Sequence, residues 1–147
     1  MPTIVALVKH VPDTWSTKSL EDDHTLDRTS VDNVIDEVNE YSVEQALRLR
    51  DDNPDAGYKV VALTMGPAQA DEALRKALAM GADDAVLVSD DSLAGADALS
   101  TAWTLNAALN KLDDVQLITA GTEASDASTG LLTGLLAESV SYTHLRA

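Results

Sequence analysis

The stretch best equipped to meet a charged ligand is residues 121–130, Gly-Thr-Glu-Ala-Ser-Asp-Ala-Ser-Thr-Gly. It lies between an apolar run at 115–119 and the leucine pairs Leu131-Leu132 and Leu135-Leu136, so it reads as the loop joining a strand to a helix. Gly121, Ser125, Ser128, Thr129 and Gly130 offer backbone N–H groups and hydroxyls just before a helix N-terminus. Orphan N–H groups and the helix dipole make such a place suitable for a phosphate. The same composition also serves an ordinary capped turn, and the pattern by itself favours that plainer use. A second candidate is Lys9, which follows the apolar run at 3–8. Open parallel sheets bind ligands at the C-terminal ends of their strands. A solvent-facing lysine at a strand end is the competing reading.

Other chemistries lack their residues. The chain has no cysteine, which removes disulfides, thiolate metal sites and cysteine nucleophiles. His10 and His24 have no partner at metal-ligand spacing. No Ser/His/Asp arrangement marks a nucleophile, and neither G-x-G-x-x-G nor G-x-x-x-x-G-K-[ST] occurs. The sequence therefore offers no catalytic and no metal-binding residues.

The elements that would position these loops follow a strand–helix rhythm. Residues 60–88 are the clearest unit: an apolar β-branched run, a Gly66-Pro67 break, a helical stripe of Ala70, Ala73, Leu74, Ala77 and Leu78, then Gly81 and a second strand. Proline at a first helical position forfeits an N–H that would have no partner there. Strands are expected near 3–8, 58–64, 85–88 and 115–119, and helices near 38–52, 67–80, 96–111 and 129–138, with Asn39 or Ser42 capping the first. Asn53-Pro54 and Gly57 end that helix by turn chemistry. Residues 13–33 are polar and without clean periodicity, and are long enough to hold short hairpin strands or a functional loop. Trp15 within them is either a cap on the core or an interface residue. The alternation predicts a doubly wound α/β fold around a parallel sheet in the order 3-2-1-4. First and fourth strands are then neighbours at the switch point, and the loops after them face one crevice.

With 147 residues, 45% of them apolar, the chain suits one domain with a sizeable core. A net charge of −15 argues against nucleic acid and anionic membrane surfaces as partners. No signal h-region or membrane-spanning run is present, so no membrane insertion is expected and the cytoplasm is the default compartment.

Several segments together resemble a known family. These are Val8-Lys9 through VPDTW at 11–15, TLDR at 25–28, VIDEVNEYSVEQALRLR at 34–50, LTMGPAQADEALRKALAMGADDAVLVSDD at 63–91, and the loop ending Thr129-Gly130. They are similar to the β subunit of bacterial electron transfer flavoproteins over nearly all of 1–139, and the block at 63–91 is specific well beyond a generic strand–helix–strand unit. The resemblance implies a Rossmann-like fold of the adenine nucleotide alpha hydrolase-like kind. It implies a heterodimer with an electron transfer flavoprotein α subunit. That carrier takes electrons from primary flavin dehydrogenases, such as acyl-CoA dehydrogenases, and delivers them to the electron transfer flavoprotein–quinone oxidoreductase of the respiratory chain. The redox FAD lies mainly on the α subunit, AMP is a structural ligand of the β subunit, and the chain has no turnover of its own.

Position by position, the resemblance assigns AMP contacts to Leu7, Asp36, Glu37, Val38, Asn39, Met65, Gly121, Thr122, Glu123, Ala124, Ser125, Asp126, Ala127, Ser128 and Thr129, to which the strand-end argument adds Lys9. Many bacterial relatives carry Asn-Gln after the loop's first glycine and a glycine after its aspartate. Here Thr122-Glu123 and Ala127 stand instead, and Glu123 brings a negative charge near the expected phosphate. Family chains continue well beyond residue 139 and carry their dehydrogenase-recognition loop there. Residues 140–147 (VSYTHLRA) resemble instead a read-through of a transposon-derived sequencing adapter. The expectation is thus an incomplete nucleotide-binding domain at 1–139 followed by a foreign tail. Two alternatives are a bifurcating relative with a second FAD in the crevice, and a nucleotide-sensing module like the universal stress proteins. The glycine-rich ATP loop of the latter is missing after the fourth strand.

Overall fold

A computed structural model describes residues 1–140. The chain runs β1 (Thr3–Leu7), β2 (His10–Pro12), β3 (Asn33–Ile35), α1 (Glu37–Asp52), β4 (Lys59–Met65), α2 (Asp71–Met80), β5 (Asp84–Val88), α3 (Ala98–Leu109), β6 (Val115–Thr119) and α4 (Leu132–Ser139). Four strands form a parallel sheet in the order β5-β4-β1-β6. That is the expected 3-2-1-4 arrangement of a doubly wound α/β domain. β1 sits at its centre with every residue buried, which is why TIVAL carries no alternation: both faces are covered by helices.

The two faces bury separate cores. On one, Ile4, Ala6, Val60 and Ala62 pack against Val43, Ala46 and Leu47 of α1 and Ala73, Leu74 and Ala77 of α2. On the other, Val5, Leu7 and Leu63 pack against Leu105 and Leu109 of α3 and Leu136 of α4. Small side chains on α2 bring that helix close to the sheet. Leu78, expected on the same stripe, is instead 42% exposed, because the helix turns that position outward.

Four local expectations are corrected. Asp36, not Asn39 or Ser42, caps α1: its carboxylate accepts the Val38 N–H, while Asn39 and Ser42 are buried within the helix. Pro67 precedes a single 3-10 turn, Ala68–Ala70, and the α-helix itself starts at Asp71. The last helix starts at Leu132, leaving Leu131 exposed. Residues 10–12, expected as a loop, pair antiparallel with 33–35.

That ribbon frames the polar stretch, in which Leu20 and Leu26 form an isolated bridge and Asp27 accepts from Ser19, Thr29 and Ser30. Trp15 is 91% exposed, so it does not cap the core. Val140 closes α4, its N–H donating to Leu136 O, and packs beside the second core. The rest of the stretch read as a foreign tail, 141–147, lies outside the described residues. Among the described residues no helix is long and apolar enough to cross a membrane, and no cluster of His, Asp or Glu would hold a metal.

Candidate functional site

A cavity of about 220 Å³ opens at the C-terminal ends of β1, β4 and β6. Leu7 and Lys9 contribute from the first, Leu63 and Met65 from the second, and Ala120, Gly121, Thr122, Glu123 and Ala124 from the chain leaving the third. Ala96, Ala98, Thr101 and Leu105 close the α3 side, and Leu132 and Thr133 bring the start of α4 to the wall. Since β1 and β6 are adjacent while their connections leave on opposite sides, this is the switch-point crevice of the sheet.

Asn39 is the best-oriented polar group there. It is 7% exposed, and its Oδ1 accepts the Lys9 backbone N–H at 2.7 Å. An N–H must face the amide oxygen, so that bond also fixes which way the amide points. The Nδ2 end is left without an acceptor among the described residues, at the cavity wall. Gly121 passes close beside it. A Cβ on Gly121 would come within 2.7 Å of Val38 Cγ1 and 3.0 Å of Asn39 Nδ2, so only glycine lets β6 lead its chain across the first turn of α1.

The loop after Gly121 is tied down from several directions. Asp36 Oδ2 accepts the Ser125 N–H at 2.7 Å, and the N–H groups of Ala127 and Ser128 donate to Ala124 O. Asp126, whose side chain is fully covered, accepts from Lys9 Nζ at 2.9 Å and from Arg28 at 2.5 Å. Burial pushes the Asp126 carboxyl upward, but the hydrogen bonds and charges of Lys9 and Arg28 outweigh it and hold the group below the usual carboxylate range. Lys18 Nζ donates to Ser125 O at 3.3 Å. Basic residues of the 9–35 segment therefore converge on this loop in a chain that is otherwise strongly acidic.

These bonds take up the central donors of the loop. Donors that remain among the described residues are the N–H groups of Thr122, Glu123, Ala124, Thr129 and Gly130 along the wall, and those at the start of α4. Its N-cap position is Leu131, in αR geometry with no side-chain cap, so the N–H groups of Leu132 and Thr133 have no internal partner where they line the cavity. The Ser125 hydroxyl is buried and unpartnered as well. A concave apolar wall, a buried amide donor and an uncapped helix N-terminus together suit a ligand with a flat apolar part and an anionic end.

Comparison with known proteins gives the family. A model of the electron transfer flavoprotein domain matches residues 23–145. The electron transfer flavoprotein subunit beta of Mycobacterium leprae is 46% identical over 152 aligned positions, covering 99% of this chain and 57% of that protein. This chain belongs to the electron transfer flavoprotein β-subunit family. The corresponding subunit of Mycobacterium tuberculosis is 45% identical with the same coverage, and the caffeyl-CoA reductase-Etf complex subunit CarD of Acetobacterium woodii is 39% identical over 92% of this chain and 51% of its own. The chain thus spans little more than half the length of the flavoprotein subunits it matches.

Of the positions that the flavoprotein resemblance singled out, Leu7, Asn39, Met65, Gly121, Thr122, Glu123, Ala124, Ala127 and Thr129 line the cavity, as does Lys9 from the strand-end argument. Asp36, Glu37, Val38, Ser125, Asp126 and Ser128 stand outside the lining; Asp36 and Asp126 shape the loop instead. Lys9 does both: it lines the cavity and holds Asp126. Sequence reading missed Arg28 and the α3 wall, and it expected the helix N-terminal donors within 121–130, whereas the helix starts at Leu132. For Arg28 the one available signal was a basic residue in a polar, acidic stretch.

Proposed function

We propose that this chain is the β part of a heterodimeric electron carrier and that its switch-point cavity holds AMP. The observation that carries the reading is the convergence of the uncapped α4 N-terminus and the Asn39 amide on one cavity. The phosphate belongs at the N–H groups of Leu132 and Thr133, with the Lys9 side chain nearby, and the base against Met65 and the α3 wall. Asp36, Asp126 and Arg28 keep the intervening loop in shape for it.

Redox chemistry belongs to a flavin held mainly by an α subunit, and the contribution of this chain is binding and orientation. In that role it performs no turnover alone. Electrons enter from primary flavin dehydrogenases such as acyl-CoA dehydrogenases and leave to electron transfer flavoprotein–quinone oxidoreductase, with the carrier itself in the cytoplasm. Membership of the flavoprotein β-subunit family supports this assignment, as do the subunit names of the relatives.

Co-purification with an α subunit tests it. Denaturing the complex and separating the released small molecules should yield one FAD and one AMP per heterodimer. Two FAD per heterodimer would favour the bifurcating alternative, and release of no adenine mononucleotide would overturn the AMP assignment.

A further inference from the structure

The charges around the cavity are unevenly used. Lys9 is the cationic side chain on its wall, and that charge already faces the covered carboxylate of Asp126, which it shares with Arg28. Glu123 is the anionic side chain on the wall, and among the described residues no cation comes within 4.0 Å of it. Its Oε2 lies 3.9 Å from where a Cβ on Gly130 would stand, two residues before the start of α4. The free carboxylate is therefore beside the same uncapped helix N-terminus that offers the anion donors. Asn39, 7% exposed, independently brings an Nδ2 without an acceptor among the described residues to the same cavity.

A helix N-terminus contributes only about half a positive charge. Its free N–H groups can be taken up by one phosphate group, while every further phosphate adds negative charge near Glu123 without a compensating cation. We propose that Glu123 limits the negative charge of the nucleotide, admitting a monophosphate and discriminating against di- and triphosphates. The inference rests on the nucleotide reading above and adds its selectivity. A like charge at about 8 Å, at the effective dielectric of a protein surface and with physiological salt screening, costs a factor of about three to four in affinity per added charge.

The test is calorimetric titration of the purified chain, and of Glu123→Gln, with AMP, ADP and ATP at constant ionic strength without divalent cations. The wild-type chain should weaken by about three- to fourfold or more from AMP to ADP and again to ATP. In Glu123→Gln those steps should shrink toward unity, and AMP affinity should itself rise, because the AMP phosphate also lies beside residue 123. A flat wild-type series, or steps of unchanged size in Glu123→Gln, would overturn the proposal, the latter by assigning the selectivity to cavity size. Absence of binding by all three nucleotides would remove this inference together with the AMP reading. AMP binding with a flat series would remove this inference alone. Circular dichroism of the variant, and the wild-type series itself, keep the outcome readable if the substitution disturbs folding.

Discussion

The carboxylate of Asp36 accepts the backbone N–H of Ser125 at 2.7 Å across a sequence separation of 89 residues. The same side chain caps α1 through Val38, and its own backbone N–H donates to Lys9 O. One residue, 1% exposed, therefore joins the end of β1, the start of α1 and the loop after β6. Those are the parts that must keep register for the cavity to exist.

Replacing Asp36 by alanine removes the cap and leaves the Ser125 N–H buried without a partner. A lost cap costs about 1 kcal/mol and an orphaned donor about 1–3 kcal/mol, so urea unfolding should show a loss of about 2–4 kcal/mol. Asp36→Asn retains one acceptor oxygen and should lose about half as much. Equal losses for the two variants would assign the effect to charge instead of geometry.

Asp126 sets a pH dependence. Its folded carboxyl is held below the unfolded value by Lys9 and Arg28, against the opposing effect of burial. A depressed folded pKa contributes stability that is fully present above the unfolded value near 4 and is lost as pH falls through the folded one. Stability should thus decline from about pH 4 downward, and Asp126→Asn should be less stable at pH 7 with a flatter profile below pH 4. Thermal melts between pH 7 and pH 2 measure both, and an unchanged acid limb in Asp126→Asn would place the pH dependence elsewhere.

Gly121→Ala tests the close passage of β6 over α1. Its Cβ would lie 2.7 Å from Val38 Cγ1 and 3.0 Å from Asn39 Nδ2, so helix or loop must shift. Overpacking of this kind costs about 1–3 kcal/mol. The variant should melt lower than wild type, whereas Gly57→Ala, where the added atom meets open space at φ 63°, should lose only about 1 kcal/mol from backbone strain. Equal losses would show that the Val38 contact gives way freely.

What could be read from the residues followed from element length. The four parallel strands were visible because buried strands such as TIVAL and KVVALTM are continuous apolar runs, and β1 beside β6 followed from the strand order. β2 and β3 were invisible because strands of 3 residues carry no period. The cap at Asp36 escaped because the position three residues on is Asn39, so no capping-box pattern marks the start; its remaining signal is Glu37 and Glu40 in the first turn. Arg28 and Asp126 are 98 residues apart, and nothing local couples them. The α3 wall depends on how two helices pack over the sheet, which spacing within either helix does not specify.

The central claim is that this cavity binds an adenine mononucleotide through its phosphate, and one titration addresses it most directly. The purified chain is titrated with AMP and with adenosine, alongside Asn39→Asp, which keeps an acceptor for the Lys9 N–H while turning the Nδ2 donor into a carboxylate oxygen. The account predicts one AMP per chain, adenosine weaker by about tenfold or more, and a loss of about tenfold or more for AMP in Asn39→Asp with the fold intact, since each corresponds to about 1.4 kcal/mol. Adenosine binding as tightly as AMP, or AMP binding to Asn39→Asp as well as to wild type, would contradict it.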